Sequence, residues 1–134
     1  MFVDASAIVA LLSDEPEAQR VSDAVASARS PFTSPVALLE CVLSLARQDK
    51  FNLPVPAVEP IVMQFLQARS IEVRDLPPAA EVTRLALLAA DRYRSGRHGL
   101  NLGDCLHYAC AKFYNASVLA TADEFRATDL QTVP

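Results

Sequence analysis

Asp4, Glu40 and Asp104 each stand alone inside an apolar stretch, and that isolation restricts the folds open to this chain. Asp4 is the only charge between Met1 and Leu12. Glu40 is the only one between Ser34 and Ala46, and Asp104 the only full charge between Leu100 and Ala111. A carboxylate in apolar surroundings is unfavourable unless something pairs with it. None of the three segments contains Lys or Arg. Either these acids sit at helix ends and on solvated faces, or the fold gathers three distant segments around a shared divalent cation.

The rest of the composition leaves room for such a gathering. At 134 residues, 51% of them apolar, the chain suits one domain, 1–134, with a real hydrophobic core. No apolar run approaches the roughly 18 to 20 residues of a membrane span. Met1-Phe2-Val3-Asp4 has no basic region of the kind that opens a signal peptide. Cys41, Cys105 and Cys110 are odd in number and form no C-x-x-C pair, which argues against a disulfide framework and structural zinc. They read as small buried hydrophobes, and a reducing cytoplasm fits them. The net charge of −4 first speaks against a nucleic-acid partner. Setting four of the 16 acids aside for metal, however, leaves 12 acidic against 12 basic side chains, so local clustering matters more than the total.

Strand and helix signals alternate along the chain. Phe2-Val3 reads as a short buried strand with Asp4 at its end, and Ala5-Ser6-Ala7 leads into a helix from Ile8 to Leu12. Ser13 can cap a second helix with Pro16 in its first turn, running to about Ala28. Pro31-Phe32-Thr33 is a candidate strand. Ser34 as N-cap and Pro35 at the first helical position start a helix to about Lys50. Its body, Val36 to Ala46, is apolar nearly all round and reads as buried. Pro54, Pro56 and Pro60 mark a linker and the start of a helix to about Arg69, followed by an alternating strand from Ile71 to Leu76. A long helix spans about Ala79 to Ser95, with Val82, Leu85, Ala86, Ala89 and Tyr93 inward. After the Gly96–Gly99 loop come a helix from about Asp104 to Tyr114, a strand at Ser117–Thr121, and a last short strand at Leu130–Val133. This alternation predicts a parallel sheet covered by helices, with the ligand crevice beyond the carboxyl ends of the strands.

Asp4 and Asp123 both fall just past a predicted strand. Asp4 can serve as an N-cap or as a ligand, with Ser6 placed to hydrogen-bond it. Glu40 has Val36, Ala37, Leu43 and Ser44 as helical neighbours and no counter-charge. Asp104 suits a helix N-terminus, where the dipole favours an anion, and Asn101-Leu102-Gly103 supplies a polar side chain and flexible backbone beside it. Asp123 lies in a loop, where a capping or surface role is open to it, and Glu124 and Asp129 compete for any role as fourth acid. An all-carboxylate set selects Mg²⁺ or Mn²⁺, and acids around such ions suit phosphoryl chemistry. His98 and His107 are not spaced for zinc with these acids, and His107 and Tyr108 read as packing residues. Arg92, Arg94, Arg97 and His98 form the densest basic run. They fit either a solvated helix end or a patch that steers substrate phosphates.

Val3-Asp4-Ala5-Ser6-Ala7, Leu39-Glu40, Leu100-Asn101-Leu102-Gly103-Asp104-Cys105 and Thr121-Ala122-Asp123-Glu124-Phe125 resemble, in order and spacing, the four acidic motifs of PIN-domain ribonucleases. The closest look is to the VapC toxins of bacterial toxin–antitoxin pairs. Relatives often carry glycine before the fourth acid, where this chain has Ala122. The resemblance implies an α/β/α sandwich with a short central parallel sheet and Mg²⁺- or Mn²⁺-dependent endoribonuclease activity. It makes Asp4, Glu40, Asp104 and Asp123 the metal-holding catalytic set. On a ribonuclease reading, Ser6, Asn101 and Thr121 would orient ligands around that set, and the basic run of Arg92, Arg94 and Arg97, read from its density beside Asp104, would bind the RNA substrate. It also implies a homodimer and inhibition by a cognate antitoxin. Two other readings stay open to the acids. An aspartyl-phosphate phosphatase would need a second Asp at position 6, where this chain has Ser6. A non-catalytic module would keep the cluster only to bind a cation or a partner.

Overall fold

In the computed structural model, which describes residues 1–134, four two-residue strands form one parallel sheet. They are β1 (Phe2–Val3), β2 (Phe32–Thr33), β3 (Glu72–Val73) and β4 (Val118–Leu119), in the order β3-β2-β1-β4. Six helices flank the sheet: α1 (Ala5–Leu12), α2 (Ala18–Ser27), α3 (Pro35–Ala46), α4 (Val55–Ala68), α5 (Ala79–Tyr93) and α6 (Leu102–Phe113). The result is the expected α/β/α sandwich. β1, β2 and β4 are fully buried, as parallel strands covered on both sides must be, and Phe2 of β1 packs edge to face on Phe32 of β2 at 5.7 Å.

The strand order places the crevice. The chain steps from β1 to β2 to β3 in one direction, then returns to lay β4 on the other side of β1. The order therefore reverses between β1 and β4, the position where open α/β sheets bind ligands. Val3 is in register with Leu119, and the Asp4 N–H donates to the Leu119 carbonyl at 2.9 Å. Asp4 and Thr121 consequently leave the sheet side by side.

Several local readings are corrected. α1 begins at Ala5, because Asp4 is its cap, and Ser13 closes α1 instead of starting the next helix. Pro16 precedes α2, which starts at Ala18. α3 stops at Ala46, where Arg47 turns to extended backbone. Nor is α3 buried all round: Ala37, Cys41, Val42 and Leu45 face inward, while Leu39 and Leu43, one turn apart, are 57% and 50% exposed. Helices α1, α4 and α6 cover only one side of it. The alternating segment 71–76 yields just two strand residues, both exposed, since β3 is an edge with a single neighbour. Pro56 and Pro60 lie within α4, so the proline-rich stretch is helix more than linker. The last expected strand reduces to one bridge, Thr132 with Val118.

The inner face of α5 packs on α6 as the periodicity requires. The three cysteines are buried and free, and burial pushes the Cys41 and Cys110 thiols up to about 12 and about 11. They are inert at neutral pH. No helix is long and apolar enough to cross a membrane.

Candidate functional site

At the β1/β4 switch point an open cavity of about 460 Å³ collects Asp4, Ser6, Glu40, Asn101, Asp104, Thr121 and Glu124. Three different helices deliver the isolated acids. Asp4 caps α1, Glu40 sits midway along α3, and Asp104 is in the first turn of α6.

Each acid is held by the backbone signals that surround it in sequence. Ser6 donates both its N–H (2.9 Å) and its hydroxyl (2.6 Å) to Asp4 Oδ2, and its oxygen accepts the Thr121 N–H at 3.1 Å. One serine thus ties the end of β1 to the end of β4. Asn101 and Asp104 form a reciprocal capping box: the Asp104 N–H donates to Asn101 Oδ1 (2.8 Å), and the Asn101 N–H donates to Asp104 Oδ2 (3.0 Å). Gly103 lies against Glu40, and a Cβ there would overlap Glu40 Oε1. A glycine in the first turn of α6 lets the α3 carboxylate reach the cluster.

His107 is a member that sequence reasoning placed in the core alone. It is fully buried and packs on Phe2, but its Nε2 lies 3.0 Å from Glu40 Oε2 and 3.7 Å from Asp4 Oδ1. Burial by itself would lower the imidazole pKa. The Glu40 hydrogen bond and the charges of Asp4, Glu40 and Asp104 outweigh it and hold the pKa above 6.5. The spacing of three residues from Asp104, which places both on one face of α6, was the available signal. Tyr108 is a packing residue, as read, with its hydroxyl donating to Asp129 at 2.8 Å.

The electrostatics are those of crowded anions. Burial raises the Asp104 carboxyl, and repulsion from Asp4 and Glu40 adds to it against the Asn101 hydrogen bond. Burial likewise raises Glu124, with further repulsion from Asp104, Asp4 and Asp123. Asp4 is only 4% exposed, and its Oδ1 accepts no hydrogen bond, since 3.7 Å to His107 is too long for one. A buried carboxylate oxygen with no donor, on a residue that lines a cavity with more carboxylates, fits a cation. No three donors are set around one common centre in this arrangement. Ser6, Asn101 and His107 hold one oxygen each of Asp4, Asp104 and Glu40.

The fourth-acid candidates separate in space. Asp129 is engaged by Lys112 (2.7 Å) and Tyr108. Asp123 is about two-thirds exposed and pairs with Arg126 at 3.1 Å. It borders a neighbouring cavity of about 490 Å³, which it shares with Asn101, Asp104 and Glu124. Of the three candidates for fourth acid, only Glu124 lines both cavities. Arg92, Arg94 and Arg97 are exposed on the end of α5 and the following loop, and none lines either cavity. The cations that do line the acidic cavity are Arg47 and Lys50, which the sequence did not single out.

A family model described as PIN domain matches residues 1–129. The chain belongs to the PIN-domain family. Among relatives of this PIN domain, Ribonuclease VapC of Mycolicibacterium smegmatis is 33% identical, with 99% of each chain covered. Ribonuclease VapC36 of Mycobacterium tuberculosis is 35% identical, covering 98% of this chain and 91% of that one. In fold, the PIN domain is similar to the sarcin–ricin-loop-cleaving toxin VapC20 of Mycobacterium tuberculosis, with a TM-score of 0.76 at 17% identity over 98% and 97% of the two chains. It is also similar to a chain of a toxin–antitoxin complex from Klebsiella pneumoniae, with a TM-score of 0.73 at 14% identity over 99% and 96%.

Proposed function

We propose that this PIN domain is a divalent-cation-dependent endoribonuclease toxin that a cognate antitoxin protein neutralises. The observation that carries the reading is Asp4 Oδ1, buried and without a hydrogen-bond donor, beside Glu40 and Asp104 in one cavity. Relatives of full length that bear the name ribonuclease supply the substrate class. Toxin–antitoxin assembly of a fold neighbour motivates the partner. The exposed Leu39–Leu43 pair on α3 suits a homodimer contact.

In this reading Asp4, Glu40 and Asp104 hold Mg²⁺ or Mn²⁺, with a fourth carboxylate from the Asp123–Glu124 pair. A divalent ion there supplies Lewis acidity for phosphodiester hydrolysis. The chain's own groups do the positioning. Ser6 fixes Asp4 Oδ2 and leaves Oδ1 without a donor, and the Asn101 cap aims Asp104. Thr121 anchors Ser6 through its N–H, and His107 steadies Glu40, which would be one of the residues to hold the ion.

The test is cleavage of an end-labelled RNA by the purified chain with Mg²⁺ or Mn²⁺, with chelator, and with Asp104→Asn. Internal fragments that need both metal and Asp104 support the proposal. Metal binding without cleavage of any RNA would leave only a cation-binding module.

A further inference from the structure

Two cations share the acidic cavity, and they stand on its α3 side. Glu40, Ser44 and Arg47 follow one another at four- and three-residue spacing, so they face the cavity from one stripe of α3 and its cap. At the helical rise, Arg47 stands about 10 Å along the axis from Glu40. That offset puts the Arg47 guanidinium beside the acid cluster and not within it, where it suits a phosphate next to the one at the acids.

Both cations are tethered at the rim. Arg47 makes a two-pronged contact with Asp49, Nε to Oδ1 at 3.1 Å and Nη2 to Oδ2 at 2.7 Å. Lys50 Nζ lies 2.7 Å from Glu15 Oε1, across from the turn between α1 and α2. These tethers keep the cations from collapsing onto Asp4 and Glu40. The Arg47–Asp49 pair is 60% exposed on both sides and therefore weak. A phosphate offers the same two-pronged acceptor geometry as Asp49 and can take its place. Apart from an ion held by Asp4, Glu40 and Asp104, Arg47 and Lys50 are the positive groups that an RNA backbone meets at this cavity.

We propose that Arg47 and Lys50 form a phosphate-binding subsite that holds the backbone of single-stranded RNA beside the bond to be cut. The proposal rests on the ribonuclease reading and deepens it. Phosphate contacts of this kind set the register of a strand and leave base identity to other groups. The exposed Arg92, Arg94 and Arg97 are then dispensable for this contact.

The test uses the full chain carrying Asp4→Asn, so that RNA is not consumed, and a single-stranded RNA oligonucleotide titrated at several salt concentrations. Adding Arg47→Ala and Lys50→Ala should weaken binding at least tenfold. It should also flatten the salt dependence by about 1.4 in log–log slope, for two lost phosphate contacts. Arg47→Lys with Lys50→Arg should keep most of the slope, and Arg92→Ala/Arg94→Ala/Arg97→Ala should bind like the parent. Unchanged affinity and slope in the Arg47/Lys50 double variant overturns the subsite. So does an Arg47→Ala/Lys50→Ala chain with Asp4 intact whose melting temperature or stabilisation by Mn²⁺ falls well below that of the wild type, which would make the two cations supports of the acid cluster. A parent chain that neither binds RNA nor, with Asp4 intact, cleaves it fails one step earlier, at the ribonuclease reading, and takes the subsite with it.

Discussion

Asp123 and Glu124 are chain neighbours with opposite surroundings. Asp123 reaches outward to Arg126, whereas Glu124 is half-buried and shares the cavity of Asp4, Glu40 and Asp104. An exposed ion pair one turn apart contributes little, so Asp123 can be released from Arg126 at small cost, but in this arrangement Glu124 is the one facing the other acids. The account therefore expects Glu124→Gln to lower Mn²⁺ affinity by roughly 10-fold or more, with a matching loss of cleavage. Asp123→Asn should do less. Isothermal titration of both variants with Mn²⁺ decides between them, and a larger loss for Asp123→Asn would reverse the assignment. The three other acids were legible because a charge inside a long apolar run is conspicuous. The 123–124 choice was not, since two adjacent acids in a loop carry no pattern until a backbone turns one of them inward. Lys50 and Arg47 were illegible for a related reason: cations after a helix end are ordinary, and only the fold shows that Glu15 and Asp49 hold them over a cavity. Arg92, Arg94 and Arg97 drew notice by density in sequence, which says nothing about which way a helix end points.

At the scale of elements, the start of α6 does two jobs in one turn. Asn101 and Asp104 close its capping box, and Gly103 admits the Glu40 carboxylate. Alanine is the better helix former by up to about 1 kcal/mol, so Gly103→Ala should leave the melting temperature equal or higher. The new methyl occupies the place of Glu40 Oε1, so cleavage and Mn²⁺ affinity should both fall. Melting curves beside single-turnover rates test this separation, and wild-type turnover in a stable Gly103→Ala chain would show that Glu40 needs no such access. The helix starts at Ser34-Pro35 and Asn101 were readable because caps are local chemistry. The one-sided burial of α3 and the shrinkage of β3 were not. One depends on which face of α3 the other helices leave open, that of Leu39 and Leu43, the other on β3 having a single neighbour.

For the whole molecule, the clustered acids make the metal-free fold sensitive to pH. Asp104, Glu124 and His107 have ordinary values of 3.8, 4.5 and 6.5, and all three are raised in the fold. Each binds its proton more tightly folded than unfolded. Its stabilising contribution is therefore complete below the ordinary value and is lost as pH rises through the folded one. Asp129, lowered chiefly by Lys112, works in the opposite sense, but only as pH falls through its folded value, below 3.8, and the Met1 amine, lowered by burial and by Arg74, opposes the trend as pH nears its ordinary 8.0. In chelator the melting temperature should thus decline as pH rises past these ordinary values towards neutrality. Mn²⁺ should counter the decline increasingly with pH, because ligands must shed protons to bind it. A cation at 100 times its dissociation constant adds about 2.7 kcal/mol, ample to see in a melt. Metal-free stability that climbs over this range contradicts the crowded-anion description.

The central claim is that Asp4, poised with one unpartnered oxygen, belongs to a metal-dependent ribonuclease centre and is not merely a helix cap. Asparagine caps helices as well as aspartate does, so Asp4→Asn isolates the charge. The decisive measurement is RNA cleavage by wild-type and Asp4→Asn chains with saturating Mn²⁺, read alongside their melting temperatures. The account predicts that Asp4→Asn melts at or above the wild-type temperature in chelator and cleaves no RNA. A folded Asp4→Asn chain that cleaves at the wild-type rate would contradict it.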